Sequence, residues 1–395
     1  MAELLDMPRL SLEERDRRWA RVRAAMAERD LACIITAPHT GHWEQLCADT
    51  RYLTHIGGNN SETACVFPVE SEVTAIVLNR PDFWKGAQNW VADVRTPKQG
   101  IWSAPMIDRM RDLGIANHRV GVGGLETAQF AAEGFFPHGM FEHIREAFPN
   151  AIFEDVTIMM GDLMGLKSPE EVACMERSIA IAEAGLKRVR EVARPGVPDF
   201  KVFTALYAAM MEEGGEIPTL AIWGTAPGRF ETAFLPTRRP LQRGDWIMDE
   251  IQSRYLGYGA QRVQPGVLGD PPAPLVKAMN EHRTVFEAVR QQLRSGTSVG
   301  QVFGAAREVA EEIGCHVSLT LQGRGLGQDR PNVGGANLTP RAEAVLLQEG
   351  HCFCVKAHVE PAEGPGILWA DTVVVTPGGG RRLGKDPHEL LVIPC

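Results

Sequence analysis

The chain of 395 residues lacks the features that would place it in a membrane, on a nucleic acid or in an oxidising compartment. It has no uncharged apolar run of about 18 residues, the length of a membrane-spanning helix, and its first residues, MAELLDMPRLSLEERDRR, have no apolar signal-peptide core. A formal net charge of −9 argues against nucleic-acid or anionic-membrane binding, because both need clustered positive charge. The eight cysteines show no zinc-type pairing. We therefore expect reduced cysteines in a cytoplasmic protein.

What is present is an ordinary globular composition in a chain too long for a single core. The first part alternates helical and strand-like patterns, which predicts a mixed α/β domain at residues 1–160. A strong helix start follows, with Ser168 as the cap, Pro169 in the first position and Glu171 completing a capping box. We predict that this helix opens a second domain at residues 161–395.

The second domain contains an internal duplication. The segment ARPGVPDFKVFTALYAAMMEEGG from Ala193 aligns without a gap with LRSGTSVGQVFGAAREVAEEIGC from Leu293. Seven positions are identical at an offset of 100 residues: Arg194/Arg294, Gly196/Gly296, Val202/Val302, Phe203/Phe303, Ala205/Ala305, Glu212/Glu312 and Gly214/Gly314. We predict an α+β domain of two ααβ halves related by a pseudo-two-fold axis, with one curved antiparallel sheet inside and helices outside. The concave face between the halves is the expected functional site.

Two adjacent carboxylates stand inside a predicted strand of this domain. The stretch DWIMDEIQSRYLGY, residues 245–258, is typical of a strand running into a tight turn, and YGAQRV continues as a second strand. Neighbouring side chains on a strand point to opposite faces, so Asp249 or Glu250 must face the buried side. Alternation alone leaves open which of the two does so.

Four motifs spread over nearly the whole chain resemble the pita-bread family of methionine aminopeptidase, aminopeptidase P, prolidase and creatinase. Tyr52-Leu53-Thr54 resembles the family's YLTG, and KSPEEVACM at residues 167–175 resembles its KSPEEI..M helix start. LQRGDWIMDEIQSRYLGY at residues 241–258 resembles L..GD.V..D.G....GY, and ADTVVVTPGG at residues 370–379 resembles EDTVLVT..G. The resemblance implies a pita-bread C-terminal domain behind a smaller, creatinase-like α/β domain.

The resemblance also identifies the five positions at which the family's peptidases hold two metal ions, and every one has changed. In place of two Asp, one His and two Glu, this chain has Glu250, Gln261, Arg324, Lys356 and Ala370. The resemblance thus implies that Glu250 lies on the concave face, at the first ligand position, and that Asp249 lies on the other face, near solvent or a cap. A dinuclear site needs anionic or imidazole donors around each ion, and two cationic side chains would repel a divalent cation. We therefore expect no metal, no other cofactor and no metallopeptidase activity.

Metal-free branches of the family are the nearest models for the chemistry. Creatinase hydrolyses a guanidino C–N bond with a His on the loop before the hairpin, and ectoine hydrolase carries Glu at the first ligand position. This chain is similar to the second in its segment EI...Y..Y. However, the expected loop position falls near Ala233, and residues 144–281 contain no histidine. A creatinase mechanism therefore does not carry over intact.

Three residues are candidates for catalysis. Glu250 would act as base or nucleophile, because a carboxylate desolvated among cations can be tuned for either role. Its structural alternative is a pair with Arg262 or Lys356. Lys356 interrupts the apolar strand CFCVKAHV and would either stabilise developing negative charge or only neutralise Glu250. His358, on the same strand face, would supply an imidazole or be an ordinary rim histidine.

Five further residues are candidates for substrate binding. Arg324, in the segment GRGLG, has the planar fork that suits a carboxylate, or is a loop arginine with a structural partner. Gln261 would hydrogen-bond a leaving group or Glu250. Arg229 and Glu231 lie in the loop that takes the place of the family's specificity loop, and ordinary surface charge is their alternative.

The resemblance implies a homodimer in which the first domain reaches into the partner's site near YLT. Arg51 is the substrate-binding candidate there, together with the upstream His39, His42 and Trp43. A solvated loop is the alternative for these residues. Asp371 is expected to orient neighbouring strands.

Two function classes remain open on the sequence. The first is a metal-independent hydrolase of a C–N bond in a small, carboxylate-bearing and thus anionic compound, for which a cofactor-free lyase is an alternative on the same residues. The second is a non-catalytic binding module, like the pseudo-peptidase domain of a eukaryotic histone chaperone. A retained Glu250 beside two new cations favours the enzyme, since it resembles a rebuilt site more than an eroded one.

Overall fold

The computed structural model describes residues 7–38, 47–58, 62–126, 131, 133–230, 235–327, 329–335 and 338–395. The chain divides into two compact units. The first comprises the chain up to Met164 together with Leu326–Asp329, and the second comprises Gly165–Gly325 and Arg330–Cys395. Within the described ranges, no helix combines the length and the apolar composition needed to cross a bilayer.

The first unit is an α/β structure built on one six-stranded sheet. Its strands are β1 (Leu31–Thr36), β2 (Thr63–Pro68), β3 (Thr74–Val77), β4 (Asp93–Arg95), β5 (Arg119–Gly123) and β6 (Ile152–Asp155). They lie in the order β4-β3-β2-β1-β5-β6, with antiparallel pairing of β1 to β2 and of β2 to β3 and parallel pairing elsewhere. The helices are α1 (Leu12–Ala27), α2 (Ala48–Thr54), α3 (Pro81–Ala87), α4 (Ser103–Asp112), α5 (His138–Ala147) and α6 (Thr157–Gly165), the last of which runs to the start of the second unit.

The second unit contains the predicted pairs of helices and strands. Its helices are α7 (Pro169–Val192), α8 (Asp199–Glu212), α9 (Ala273–Gln292), α10 (Val299–Ile313) and the short α11 (Pro340–Glu343). Its strands are β7 (Leu220–Pro227), β8 (Asp245–Tyr255), β9 (Tyr258–Arg262), β10 (Gly266–Leu268), β11 (Cys315–Gly323), β12 (Val333–Gly334), β13 (Cys352–Pro361), β14 (Ile367–Val374), β15 (Arg381–Arg382) and β16 (Leu391–Ile393). The predicted capping box is present at the start of α7, where the Ser168 hydroxyl accepts from the Glu171 N–H at 3.1 Å and the Glu171 carboxylate accepts from the Ser168 N–H at 2.9 Å.

The two halves of this unit repeat the same backbone arrangement. The helices α8 and α10 begin 100 residues apart, as the duplicated segments predict. In each half, the loop before this helix accepts a hydrogen bond from the segment that precedes a long strand. Leu241 N–H, before β8, donates to Val197 O at 2.9 Å, and Leu347 N–H, before β13, donates to Thr297 O at 2.8 Å. Leu347 of the second half therefore corresponds to Leu241 of the first half, at an offset of 106 residues.

Each half contributes a strand group, and the groups join at one point. The first group pairs in the order β16-β10-β8-β7 with β9 beside β8, and the second pairs in the order β12-β11-β13-β14-β15. Val263 and Ala370 exchange backbone hydrogen bonds at 3.1 and 3.2 Å, which connects β9 to β14. The predicted pita-bread fold class, with its curved antiparallel sheet, is confirmed.

Candidate active site

Glu250 of β8 and Lys356 of β13 form an ion pair where the strands of the two halves come together. The ammonium group of Lys356 contacts Oε1 of Glu250 directly. The Glu250 side chain is 11% exposed and that of Lys356 is 18% exposed. Attraction between the two charges offsets part of the cost of taking them out of water. Of the two partners considered for Glu250, Arg262 and Lys356, it is Lys356 of the other half that contacts it.

Gln261 of β9 joins this pair to the rest of the site. Its side chain is fully buried, and its Nε2 donates to Glu250 Oε1 at 2.7 Å. Its backbone is held by Thr372 of β14, whose hydroxyl accepts from the Gln261 N–H at 2.9 Å and donates to the Gln261 carbonyl at 3.0 Å. The backbone of Gln261 is therefore hydrogen-bonded both to β8 of its own half and to β14 of the other half.

Arg324 immediately follows β11 and lies 4% exposed beside the two glutamines of the site. Its backbone N–H donates to Cys352 O at 2.9 Å, which fixes the start of the side chain. Its Nη1 donates to Gln252 Oε1 at 2.8 Å and its Nη2 donates to Gln261 Oε1. We call the five side chains Glu250, Gln252, Gln261, Arg324 and Lys356 the Glu250 cluster.

Gln252 is the member of the cluster that sequence reasoning missed. It is 1% exposed and pairs with Gln261 across the β8–β9 hairpin. A signal was present, because Gln252 stands two residues beyond Glu250 and side chains at that spacing share a strand face. Gly259 makes room for it, since a Cβ there would lie 2.7 Å from Gln252 Nε2.

Three of the remaining candidates, His358, Arg229 and Arg51, lie among the described residues. His358, two residues beyond Lys356 on β13, is 44% exposed, and its Nδ1 lies 3.6 Å from Glu360 Oε1. Arg229 is exposed just past the end of β7. Arg51 is buried in α2 of the first unit, with its Cδ close to Gly57. Their proposed roles stay predictions, and Glu231, His39, His42 and Trp43 lie outside the described residues.

Asp249 is the clearest departure from expectation, because it is fully buried instead of near solvent or a cap. Its Oδ1 accepts from the Gln264 N–H at 2.8 Å, while Oδ2 has no hydrogen-bond partner among the described residues. Burial raises the pKa of Asp249 to about 7, although the Gln264 N–H and Arg262 oppose the increase. The reason is that β8 is covered on both faces: Ile247 and Ile251, which flank Asp249 on its face, belong to the apolar core of the first half.

Asp371 has a structural position, as the sequence suggested. Its carboxylate accepts from Arg382 Nε and from the Thr372 N–H, both at 2.8 Å. Complete burial raises the pKa of Asp371, and the nearby Arg262 and Arg382 oppose that effect. These contacts hold β14 and β15 together and leave Asp371 outside the Glu250 cluster.

Known proteins match the part of the chain that contains this site. The family model described as metallopeptidase family M24 matches residues 173–377, which contain the whole Glu250 cluster. The chain belongs to metallopeptidase family M24. A probable dipeptidase PepE of Mycobacterium tuberculosis is 24% identical over 60% of this chain and 63% of its own length, and an ectoine hydrolase of Halomonas elongata is 23% identical over 69% and 70%. The chain thus spans less than two thirds of that dipeptidase relative.

Solved structures of the family share the fold over nearly the full chain. Dipeptidase PepE from Mycobacterium ulcerans superimposes with a TM-score of 0.74 at 23% identity and covers 98% of this chain and 100% of its own. The N-terminal domain of the FACT complex subunit SPT16 from Cicer arietinum has a TM-score of 0.68 at 15% identity, with 97% of each chain covered. At these identities the likeness establishes the fold alone.

The metal ions implied by the family name do not fit the residues at this site. Of the five side chains that the resemblance assigns to the metal positions, Lys356 and Arg324 are cations and Ala370 has no donor atom. The one carboxylate, Glu250, already accepts from Lys356 and Gln261. Among the residues that the structure describes, no group of three or more His, Cys, Asp and Glu side chains is arranged to hold a metal ion.

A cavity elsewhere in the second unit is separate from this chemistry. It has a volume of about 470 Å³ and lies between α7 and the C-terminal segment, with Glu183, Lys187, Gln264, Glu389 and Leu391 in its lining. None of its lining residues belongs to the Glu250 cluster. We assign the site to the cluster because the hydrogen bonds that connect a carboxylate, an ammonium and a guanidinium converge there.

Proposed function

We propose that the protein is a metal-independent hydrolase of a C–N bond in a small compound that carries a carboxylate. The observation that carries the proposal is the direct contact of Glu250 with Lys356, linked through Gln261 to Arg324. Relatives of the family support hydrolysis of C–N bonds, since they bear the names dipeptidase, Xaa-Pro dipeptidase and ectoine hydrolase.

In this proposal Arg324 binds the substrate carboxylate. A guanidinium has five N–H donors in a planar fork, so its two bonds to amide oxygens are compatible with a carboxylate ligand. Charge-assisted bonds of this kind are roughly twice as strong as neutral ones. Arg324 thereby orients the scissile bond toward Glu250 and Lys356.

Glu250 and Lys356 would then divide the proton transfers. Water attacks the carbon of the C–N bond and gives a proton to the Glu250 carboxylate, while the Lys356 ammonium gives a proton to the departing nitrogen. The C–O bond forms and the C–N bond breaks in the same sequence of steps. Because Glu250 and Lys356 are in direct contact, the proton on Glu250 returns to Lys356 and restores the starting charges.

Access to the cluster is expected from the Lys356 side. Lys356 is more exposed than Glu250, while Gln261, Gln252 and Arg324 are at most 4% exposed. A nearly closed site excludes bulk water and strengthens each electrostatic interaction within it. These conditions suit a small substrate.

The test is turnover on a panel of small carboxylates with and without chelator. The panel contains ectoine and creatine, and release of amine or of a cleaved acid is measured with EDTA-treated enzyme. The proposal expects turnover that EDTA leaves unchanged and metal content far below one ion per chain by elemental analysis. Activity that EDTA abolishes and manganese restores, or two bound metal ions per chain, would overturn it.

A control variant separates chemistry from folding in the same assay. The control is Glu183→Gln, which removes the charge of a carboxylate outside the Glu250 cluster. Like Glu250, Glu183 pairs with a cation, because its Oε1 lies 2.8 Å from Nη1 of the buried Arg262. This variant should keep turnover. A binding module without activity would instead show ligand binding and no product from any compound on the panel.

A further inference from the structure

We infer that Gln252 is a positioning residue that sets the preference of Arg324 for anionic ligands. Two neutral amides hold the guanidinium: Gln252 Oε1 faces Nη1 and Gln261 Oε1 faces Nη2. The inference rests on the proposed role of Arg324 as the carboxylate anchor. It adds the residue that holds this anchor in place without neutralising its charge.

The orientation of the Gln252 amide follows from its partners. A guanidinium can only donate, so the atom that faces Arg324 must be the amide oxygen. The other end, Nε2, donates to Thr219 Oγ1 at 3.1 Å. That hydroxyl is itself held, because Arg254 Nε donates to it at 2.9 Å.

The fold leaves the Gln252 side chain little freedom to move. It is 1% exposed, and the absent side chain of Gly259 opposite makes the space for its amide. The Gly259 N–H donates to Gly325 O at 2.7 Å, which ties the hairpin to the loop that follows Arg324. The hairpin and the arginine are therefore connected both by backbone and by side chains.

The chemical type of the residue carries the inference. A glutamate at position 252 would have nearly the same size and would make the same bond to Arg324 with a full negative charge. Such a bidentate or charge-assisted partner is a strong competitor for a substrate carboxylate. An amide contacts the guanidinium through an uncharged oxygen and therefore adds no negative charge beside it.

The experiment measures the preference for a negative charge directly, with no need for turnover. N-acetylglycine is the anionic probe and N-acetylglycinamide is its neutral counterpart, and the affinity of each is measured by calorimetry for full-length protein. The variants are Gln252→Glu, Gln252→Met and the matched control Gln264→Glu. Gln264 is 6% exposed and accepts from the buried Arg262 at 2.9 Å, so it repeats the glutamine–arginine pair away from the cluster.

The inference expects wild type and Gln264→Glu to prefer the anionic probe, and Gln252→Glu to lose about tenfold or more of that preference, the scale of one hydrogen bond to a charged group. Gln252→Met, which removes the oxygen without adding a charge, should lose less. Because N-acetylglycine binding needs no catalysis, a missing activity would refute the proposed function and leave this inference standing. No preference in wild type, an unchanged preference in Gln252→Glu, or an equal loss in Gln264→Glu would overturn it. If Gln252→Glu does not fold, an undiminished preference in Gln252→Met overturns it.

Discussion

Glu250 and Lys356 occupy equivalent positions in the two halves of the second unit, and their side chains contact each other. The segment LQRGDWIMDE that ends at Glu250 corresponds to LQEGHCFCVK that ends at Lys356, with Leu, Gln and Gly in common at an offset of 106 residues. The backbone bonds of Leu241 and Leu347 follow the same correspondence. A duplicated strand therefore delivers a carboxylate from one half and an ammonium from the other to one point.

The contributions of Glu250 and Lys356 to the free energy of unfolding should depend on each other. Lys356→Met leaves the Glu250 carboxylate without its cation in a site where it is 11% exposed, and removing one partner of a buried pair costs about 3–5 kcal/mol. Because Lys356 is 18% exposed, we expect a loss at or below the lower end of that range. The double variant Glu250→Gln/Lys356→Met should be more stable than Lys356→Met alone. Urea denaturation of wild type, Glu250→Gln, Lys356→Met and the double variant measures this coupling. Purely additive changes in the free energy of unfolding would contradict an energetic interaction between the two side chains.

Glu250→Gln should lose turnover by on the order of 10²-fold or more, the usual contribution of a general acid or base. The substitution keeps the shape and the ability to accept from Gln261, but it removes the anion that pairs with Lys356, so some loss of stability is expected and turnover is compared at a temperature at which both proteins are folded. Steady-state kinetics on the substrate identified by the panel, with thermal unfolding as the control, make the comparison. Full activity in this variant would move the site elsewhere.

Arg324→Lys should mainly weaken substrate binding. Lysine keeps the positive charge but cannot hold both amide oxygens and a carboxylate in one plane. We expect a KM raised by about tenfold or more, the scale of one charge-assisted bond, with a smaller change in kcat. A kcat that falls while KM stays constant would mean that Arg324 acts in the chemical step and not in binding.

How far the sequence predicts this site depends on the residue. The duplication and the family motifs indicate the fold, and the family's hairpin motif together with strand alternation predicts that Glu250 lies on the concave face. The same alternation points to Gln252, but an amide next to a carboxylate carries no charge signal that would single it out. The pairing of Glu250 with Lys356 depends on long-range strand packing, although the repeated LQ.G motif marks the two positions as equivalent.

We propose a homodimer in which Arg51 of one chain serves the site of the other, a proposal that rests on the family resemblance. Light scattering should give twice the chain mass of 43.3 kDa. Mixing Glu250→Gln with Arg51→Ala, each inactive alone, should restore about a quarter of the sites if subunits exchange at random within two-fold dimers. Arg51 is 5% exposed, so a stability measurement on Arg51→Ala must accompany the assay. A monomer at micromolar concentration, or no recovery from a mixture shown to contain heterodimers, would remove the role in trans.

Asp249 should make the protein less stable as the pH rises from about 4 to about 7. Its pKa is raised from 3.8 to about 7 in the folded state by burial, so the folded chain binds a proton that the unfolded chain releases above about pH 4. Stability then falls between about pH 4 and pH 7, and the full penalty, on the order of 4 kcal/mol, is present above pH 7. Asp249→Asn imitates the protonated acid, since its Oδ1 can still accept from the Gln264 N–H. The variant should match wild type near pH 4 and exceed its free energy of unfolding at pH 8. Urea titrations of both proteins at these two pH values test this, and a difference that does not change with pH would show that Asp249 stays ionised in the fold.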